Sequence, residues 1–583
     1  MNTFDDIIQF KTYPHLKYLC NRIYDDGDRM YLDGEKCFSK EEKFLPGTVI
    51  SSFCYILTSC KKETDEYNIW LTKTKEMIVR NMDLGMDTFG ILEFLSGLYE
   101  LKCENIYDEI IDSTIQNKLK NNLHWNKFVN RKSLKLRNGL PTNYYGVAFR
   151  VALLREELGF ENKGYSDKFL NILLDHIKRY SGEFLYMDET SGEGRYDKYT
   201  VTISSELCEA LILVGKKPPK ILYDLMKRST DILLQLADEK GYGFTYGRSI
   251  GSHATGAVLE NLPIAINMGI VDDSKFAYSY AIYTGKHMVD FWYNKDRKVF
   301  NIWDDGKKTD GYRGKHRVLE VNLDLSLKMI RANKFLQKSK WNTLEPYTNE
   351  EYRKILENIP KFKVFQFEKK TYERALAIYR SSKAIFSLPI ISGGKKHFNN
   401  TAYLPIPFAV DFMMGSPDET HGVLVPEITL KDGKRLMPIC YSKNISYKEV
   451  DNTYEIEYIQ DEMCVIEEQE TPYKGIKSHV KYILREDYIE RIDEFRIECP
   501  QNIQNIRMLI DTYSDNYEVQ ENIIIFNNGL INKISVEGLI LKEVKDISNM
   551  KEYDTPYKSL KTEIKYENTI VDNSFMIKTK IYY

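Results

Sequence analysis

The 583-residue chain does not space its cysteines as metal or redox ligands. None of the nine falls in a CxxC pair, and the nearest two, Cys54 and Cys60, have no His/Cys cluster beside them. The pattern excludes the common zinc motifs and fits reduced thiols in a reducing compartment. The N-terminus, MNTFDDIIQFKTYPHLKYLC, lacks the basic start and apolar core of a secretory signal. No stretch approaches the ~18 uninterrupted apolar residues of a membrane span. A cytoplasmic protein without a membrane partner is therefore expected. The net charge of −3 shows no basic block, which argues against a nucleic-acid partner. A P-loop, a dinucleotide fingerprint, HExxH and an EF-hand loop are also missing, so neither cofactor nor metal is expected.

What the chain has in quantity is aromatics, 13% of residues, with 42 tyrosines. Such a content suits an AT-rich coding sequence, and it also suits a protein that binds sugars on aromatic faces. Up to about residue 360, apolar residues recur at three- and four-residue steps, as in DTFGILEFLSGLYELKC and NYYGVAFRVALLREELG. Ten to twelve helices without a fixed repeat period predict an (α/α) toroid over residues 1–360, incomplete or six-fold. From about Val364 the period changes to two, in runs such as VFQFEKK and KSHVKYIL, with turns such as KDGK and FNNG. An antiparallel β-sandwich is predicted over residues 361–583.

Four loops in the helical half carry reactive side chains. LPTNYYGVAFR places Asn143, Tyr144 and Tyr145 at a helix start, where an Asn N-cap is the plain structural role. GEGRYDKYT carries Arg195, Tyr196, Asp197 and Tyr199, and its plain role is a helix entry with a surface Arg195–Asp197 pair. GYGFTYGRSIGSHATG offers Tyr246, Arg248 and His253, with Ser252 as a helix cap. NIWDDGKKTDGYRGKHR carries Trp303, Asp304, Asp305, Tyr312, Arg313 and His316, and reads equally well as a solvated charged loop. In the β half, His397 and His421 sit in loops that could close over a toroid mouth.

As a set, these segments resemble a family. Asn143-Tyr144-Tyr145 with its helix is similar to the Asn-Asn-Trp helix start of heparinase-like and alginate-lyase-like toroid proteins. RYDKYT looks like the Arg-Phe-Asp-Tyr-Tyr-Asn segment of a related uncharacterised bacterial and fungal toroid family. YGRSIGSHATGAVLENLPIAINMG looks like its Tyr-Gly-Arg-Ser segment and following helix. The likeness spans about residues 85 to 340. It departs at Tyr144, at Tyr145, at Lys198 where the family has Tyr, at Thr200, and at the lost Tyr-Arg near His253.

The resemblance implies a polysaccharide lyase acting on uronate-containing oligo- or polysaccharides. Elimination needs a group to neutralise the carboxylate, one to take the C5 proton and one to protonate the leaving oxygen. Tyr199, Asn143, Arg248 and His253 are the expected catalytic set. Tyr144, Tyr145, Arg195, Tyr196, Tyr246, Trp303, Tyr312 and His316 are the expected substrate contacts. Two other readings stay open. One is a glycoside hydrolase or uronate epimerase on the same toroid; a hydrolase would use two of Asp188, Glu189, Asp197, Asp304 and Asp305. The other is a non-catalytic carbohydrate-binding protein.

Overall fold

The computed structural model describes residues 2–38, 42–309, 313–391, 403–414, 422–466 and 472–583. Tyr312, His397 and His421 lie outside the described residues.

Twelve helices organise the first part: α1 Tyr13–Asp26, α2 Leu45–Ser59, α3 Asp65–Asn81, α4 Thr88–Cys103, α5 Ser113–Asn122, α6 Tyr144–Glu157, α7 Tyr165–Ser181, α8 Lys198–Leu213, α9 Lys220–Gln235, α10 Ser252–Asn267, α11 Ser274–His287 and α12 Val318–Lys338. The even-numbered six form a closed ring, α2 on α4, α4 on α6, α6 on α8, α8 on α10, α10 on α12, and α12 back on α2. Several helices between them pack outside: α3 on α2, α7 on α6, α9 on α8 and α11 on α10. This is an (α/α) toroid.

The two rings have different sequences because they have different neighbours. An outer helix needs one apolar stripe, and α7 supplies it with Phe169, Leu170, Leu173, Leu174 and Ile177 buried. An inner helix is enclosed on nearly every side. Every residue of α2 from Leu45 to Leu57 is buried, so its sequence is a run rather than a stripe. Backbones also approach closely here. A Cβ on Gly47 would fall 1.8 Å from the Gly90 carbonyl oxygen, so α2 and α4 can touch only through glycine.

Helix Asn349–Glu357 is followed by strands from Phe362 onward. They form a three-stranded sheet (Phe362–Lys369, Glu373–Arg380, Ile385–Ile390), an eight-stranded sheet running from Ser442–Val450 to Asp515–Gln520, and a six-stranded sheet centred on Glu427–Leu430 and Ile503–Thr512. All strand pairings within these three sheets are antiparallel. Alternate residues of Ile476–Leu484 are buried, the period-two pattern of a strand with one face on a core.

The sheets brace the loops at one end of the toroid. The Phe367 ring stacks on Tyr196, with centroids 4.7 Å apart and planes 13° apart. Arg374 donates to the Gly192 carbonyl at 3.1 Å, Tyr403 donates to Asp197 Oδ2 at 2.7 Å, and Thr245 donates to the Phe408 carbonyl at 3.3 Å. Among the described residues no helix is long and apolar enough to cross a membrane.

Candidate active site

Asp197 organises the site. It is the N-cap of α8, and its Oδ1 accepts from the Tyr199 amide at 2.9 Å. Its Oδ2 accepts from the Arg248 amide at 3.1 Å and from the Tyr403 hydroxyl. One carboxylate thus ties the start of α8, the loop before α10 and the β-domain together. The close approach requires glycine at 247, where φ is +87° and a Cβ would stand 2.4 Å from Asp197 Cβ. The expected surface pair between Arg195 and Asp197 does not form. Both are buried, and Arg195 instead meets Glu189 at 3.2 Å.

A cavity of about 470 Å³ opens at this end and runs inside the ring of inner helices. Asn143, Tyr144, Tyr199, Arg248 and His253 line its wall, together with Lys198, Glu189 and Arg313. The Tyr199 hydroxyl lies 3.0 Å from Ser249 Oγ and accepts from Arg313 Nη2 at 3.2 Å. Arg313 Nη1 donates to His253 Nε2 at 2.8 Å, so one guanidinium bridges phenol and imidazole. The Arg248 guanidinium stands 4.8 Å from the Tyr199 ring centre and the Lys198 ammonium 3.9 Å from it. Ser249 holds its hydroxyl in this group from a left-handed backbone, φ +57°, unusual for a residue with a side chain.

Asn143 is buried beside the cavity, and its carboxamide oxygen has no hydrogen-bond partner among the described residues. It precedes α6 with helical backbone angles, and its side chain makes no capping bond. The capping role open to it in the sequence is not used, which leaves the carboxamide for something in the cavity. Ser252 likewise is not a cap, because Gly251 takes that position and no side-chain bond forms. Burial holds the His253 imidazole well below its usual pKa, and nearby Arg313 adds to this. His253 is therefore neutral, consistent with its accepting from Arg313.

The carboxylates have other work. Asp188 accepts from Thr190, Gly194 and Arg195 amides and shapes the turn before α8. Glu189 bridges Arg195 and Arg248; burial pushes its carboxyl up, and the Arg248 and Arg195 guanidiniums oppose that. Asp304 pairs with Arg297 and Lys315, each at 2.8 Å, and neither it nor Asp305 lines the cavity. Deeper in the ring Glu206 pairs with Arg150 at 3.2 Å, Glu260 with Lys328 at 3.0 Å, and Glu93 with Arg331.

Several expected substrate contacts do not line the cavity. Tyr196 is fully buried, stacked on Phe367 and bonded to Ser181 at 3.0 Å. Tyr246 is buried too and donates to the Tyr196 carbonyl at 3.0 Å. Both phenols brace the site from behind. Trp303 donates to the Arg313 carbonyl at 2.6 Å and supports that loop, while Arg195 reaches the cavity only through Glu189. His316 lies beside Glu42, 3.4 Å away, and Tyr145 packs on the core; neither lines the cavity. The sequence reading did not single out Arg313, Ser249 or Lys198 as site residues. The signal for Lys198 was its place in the resemblance, a lysine where the related segment has tyrosine. Among the described residues, no cluster of His, Cys, Asp and Glu could hold a metal ion.

A toroid of paired helices leading into antiparallel sheets is a fold shared with a polysaccharide lyase. The chondroitin AC lyase of Streptomyces coelicolor A3, solved in complex with chondroitin sulphate, matches 98% of this chain and 79% of its own, with a TM-score of 0.57 at 7% identity. A xanthan lyase from Paenibacillus matches 99% of this chain and 59% of its own at 9% identity and TM-score 0.49. The heparan sulfate lyase of Pedobacter heparinus covers 97% of this chain and 88% of its own at 10% identity and TM-score 0.29. No family model and no curated protein matches the chain.

Proposed function

We propose that this chain is a glycan lyase that cuts beside a uronate by β-elimination. The observation that carries the reading is the Tyr199 hydroxyl on a cavity wall, held by Ser249 and Arg313 and flanked by Arg248 and Lys198. In this reading the uronate carboxylate meets the Asn143 carboxamide and the guanidiniums, which stabilise the enediolate that forms as the C5–H bond breaks. The Tyr199 oxygen, entering the step as the phenolate, takes that proton and gives it to O4 as the C4–O bond breaks and the C4=C5 bond forms, which leaves the phenolate again. The cations around the phenol stabilise its charge while it is without its proton. Neutral His253 orients Arg313 through their hydrogen bond.

A hydrolase needs two carboxyl groups free to face a glycosidic bond. The five carboxylates singled out for a hydrolase, Asp188, Glu189, Asp197, Asp304 and Asp305, are each bonded into the scaffold or paired with cations, which favours elimination. The test is direct. An unsaturated uronate absorbs in the ultraviolet, so absorbance is expected to rise on a uronate-containing oligosaccharide, without oxygen from labelled water entering the sugar. Flat absorbance with one labelled oxygen in the product would establish hydrolysis instead.

A further inference from the structure

Lys198 is the first residue of α8 and is 2% exposed, yet it lines the cavity. A buried ammonium ordinarily has a carboxylate partner, because an unpaired charge in a low-dielectric site is costly. Lys198 has no ion-pair or hydrogen-bond partner among the described residues. Its ammonium stands over the face of the Tyr199 ring, at 3.9 Å. Its charged and titratable neighbours among the described residues come from several elements. Asp197, Tyr199 and Glu206 belong to its own helix and cap, His253 and Glu260 to α10, Lys328 to α12, and Arg313 to the loop before it. The carboxylates among them are engaged elsewhere. Asp197 caps α8 and binds Tyr403, Glu206 pairs with Arg150, and Glu260 pairs with Lys328. The other Glu260 carboxylate oxygen, Oε2, is buried without a hydrogen-bond partner among the described residues.

We propose that Lys198 joins Asn143 and the guanidiniums as an anion-binding residue of this cavity, an ammonium kept without a protein partner among the described residues so that an acidic group of a sugar becomes its counter-ion, with Glu260 Oε2 accepting from a hydroxyl of the same ligand. The proposal rests on the glycan reading of the site and adds the charge that the site selects. Burial first, and then repulsion from Lys328, bring the Lys198 ammonium down to about 8. An empty site thus holds a strained cation that an anionic ligand relieves.

The probes are a glucuronate-containing disaccharide and its neutral carboxyl methyl ester, titrated calorimetrically into Tyr199→Phe protein, with and without Lys198→Met. The disaccharide is expected to bind at least tenfold more weakly when Lys198 is replaced, whereas the ester binds alike to both. Binding of the acid to the Lys198-containing protein should weaken as pH rises through about 8. The melting temperature of ligand-free Lys198→Met should equal or exceed that of its parent, since an unpaired buried charge has gone. A lysine kept for its contact with Tyr199 would instead lower it. Equal losses for acid and ester, or unchanged acid binding, would overturn the anion role and leave the lyase reading standing. Failure of either sugar to bind the parent at millimolar concentration would overturn the glycan reading and this proposal with it. A disaccharide carrying sulfate instead of carboxylate separates the two acidic groups. Lys198-dependent binding of only one of them identifies the group read, and binding of both defines a site for either anion.

Discussion

At the scale of single residues, the site turns on one hydroxyl. Tyr199→Phe removes the oxygen that bonds Ser249 and Arg313 and keeps the ring that Lys198 and Arg248 face. If the phenol carries the proton, turnover should fall by about 10²-fold or more, the usual worth of a positioned acid or base. Stability should change by only about 1 kcal/mol, because Ser249 and Arg313 remain bonded to each other, 3.2 Å apart. Initial-rate measurements alongside a thermal melt check both halves. Full activity in a folded Tyr199→Phe protein would remove Tyr199 from the chemistry. Which tyrosine faces the cavity was only partly legible in the sequence. RYDKYT has two phenols three residues apart, and one turn of helix separates their fates. Tyr196 precedes the cap and enters the core under Phe367, while Tyr199 follows it and faces the ring interior. Nothing local distinguishes them, because the strand that covers Tyr196 lies about 170 residues downstream.

At the scale of elements, helix starts make the site. Asn143, Lys198, Tyr199 and His253 lie at or within two residues of the starts of α6, α8 and α10, and these inner helices open toward the same mouth. The caps that mark such starts were not reliably legible: Asn143 and Ser252 suit the role without filling it, whereas Asp197, expected in a surface pair, caps α8. Its other two partners were not readable, because the Arg248 amide and Tyr403 come from distant chain. Asp197→Ala tests this junction. Loss of the cap alone costs about 0.5–2 kcal/mol, and the Tyr403 hydroxyl and Arg248 amide would then lack their acceptor. A loss of about 2–4 kcal/mol is expected, with activity falling through displacement of Tyr199 and Arg248. Denaturant unfolding measures the first and kcat the second. A change no larger than an exposed cap gives would show that the three elements hold without Asp197. The charged stripe of α12 (Glu320, Asp324, Lys328, Arg331) was the hardest element to place. Charges at steps of three and four read as an outward face, whereas here they line the axial cavity; Lys328 pairs with Glu260 of α10 and Arg331 with Glu93 of α4, while Glu320 and Asp324 pair with Arg317 and Lys328. The inner ring reverses the rule that polar faces look outward, and the charges of one helix do not tell which way they face.

At the scale of the whole molecule, the helical and β halves differ in how they meet acid. His15, His124 and His287 have pKa values lowered to about 4, and His176 and His253 are also lowered; burial is the leading cause in each case. All five lie in the helical half. In the β half the one described histidine, His479, is half-buried and sits between Glu457 and Glu494. Unfolding returns each buried imidazole to a value near 6.5. Between about pH 6.5 and 4 the unfolded chain therefore binds more protons than the folded one. Stability falls as pH falls through that window and levels off, as far as these groups are concerned, once the folded imidazoles also protonate. All five tryptophans, Trp70, Trp125, Trp292, Trp303 and Trp341, are in the helical half, so their fluorescence follows the toroid. The tryptophan-detected melting temperature is expected to drop steeply from pH 6.5 to 4.5. His15→Gln should shallow that drop, since His15 bonds only Asn322 and lies away from the cavity. An equal slope in the variant and its parent would place the acid sensitivity in the carboxylates, many of them paired with cations, and not in the buried imidazoles.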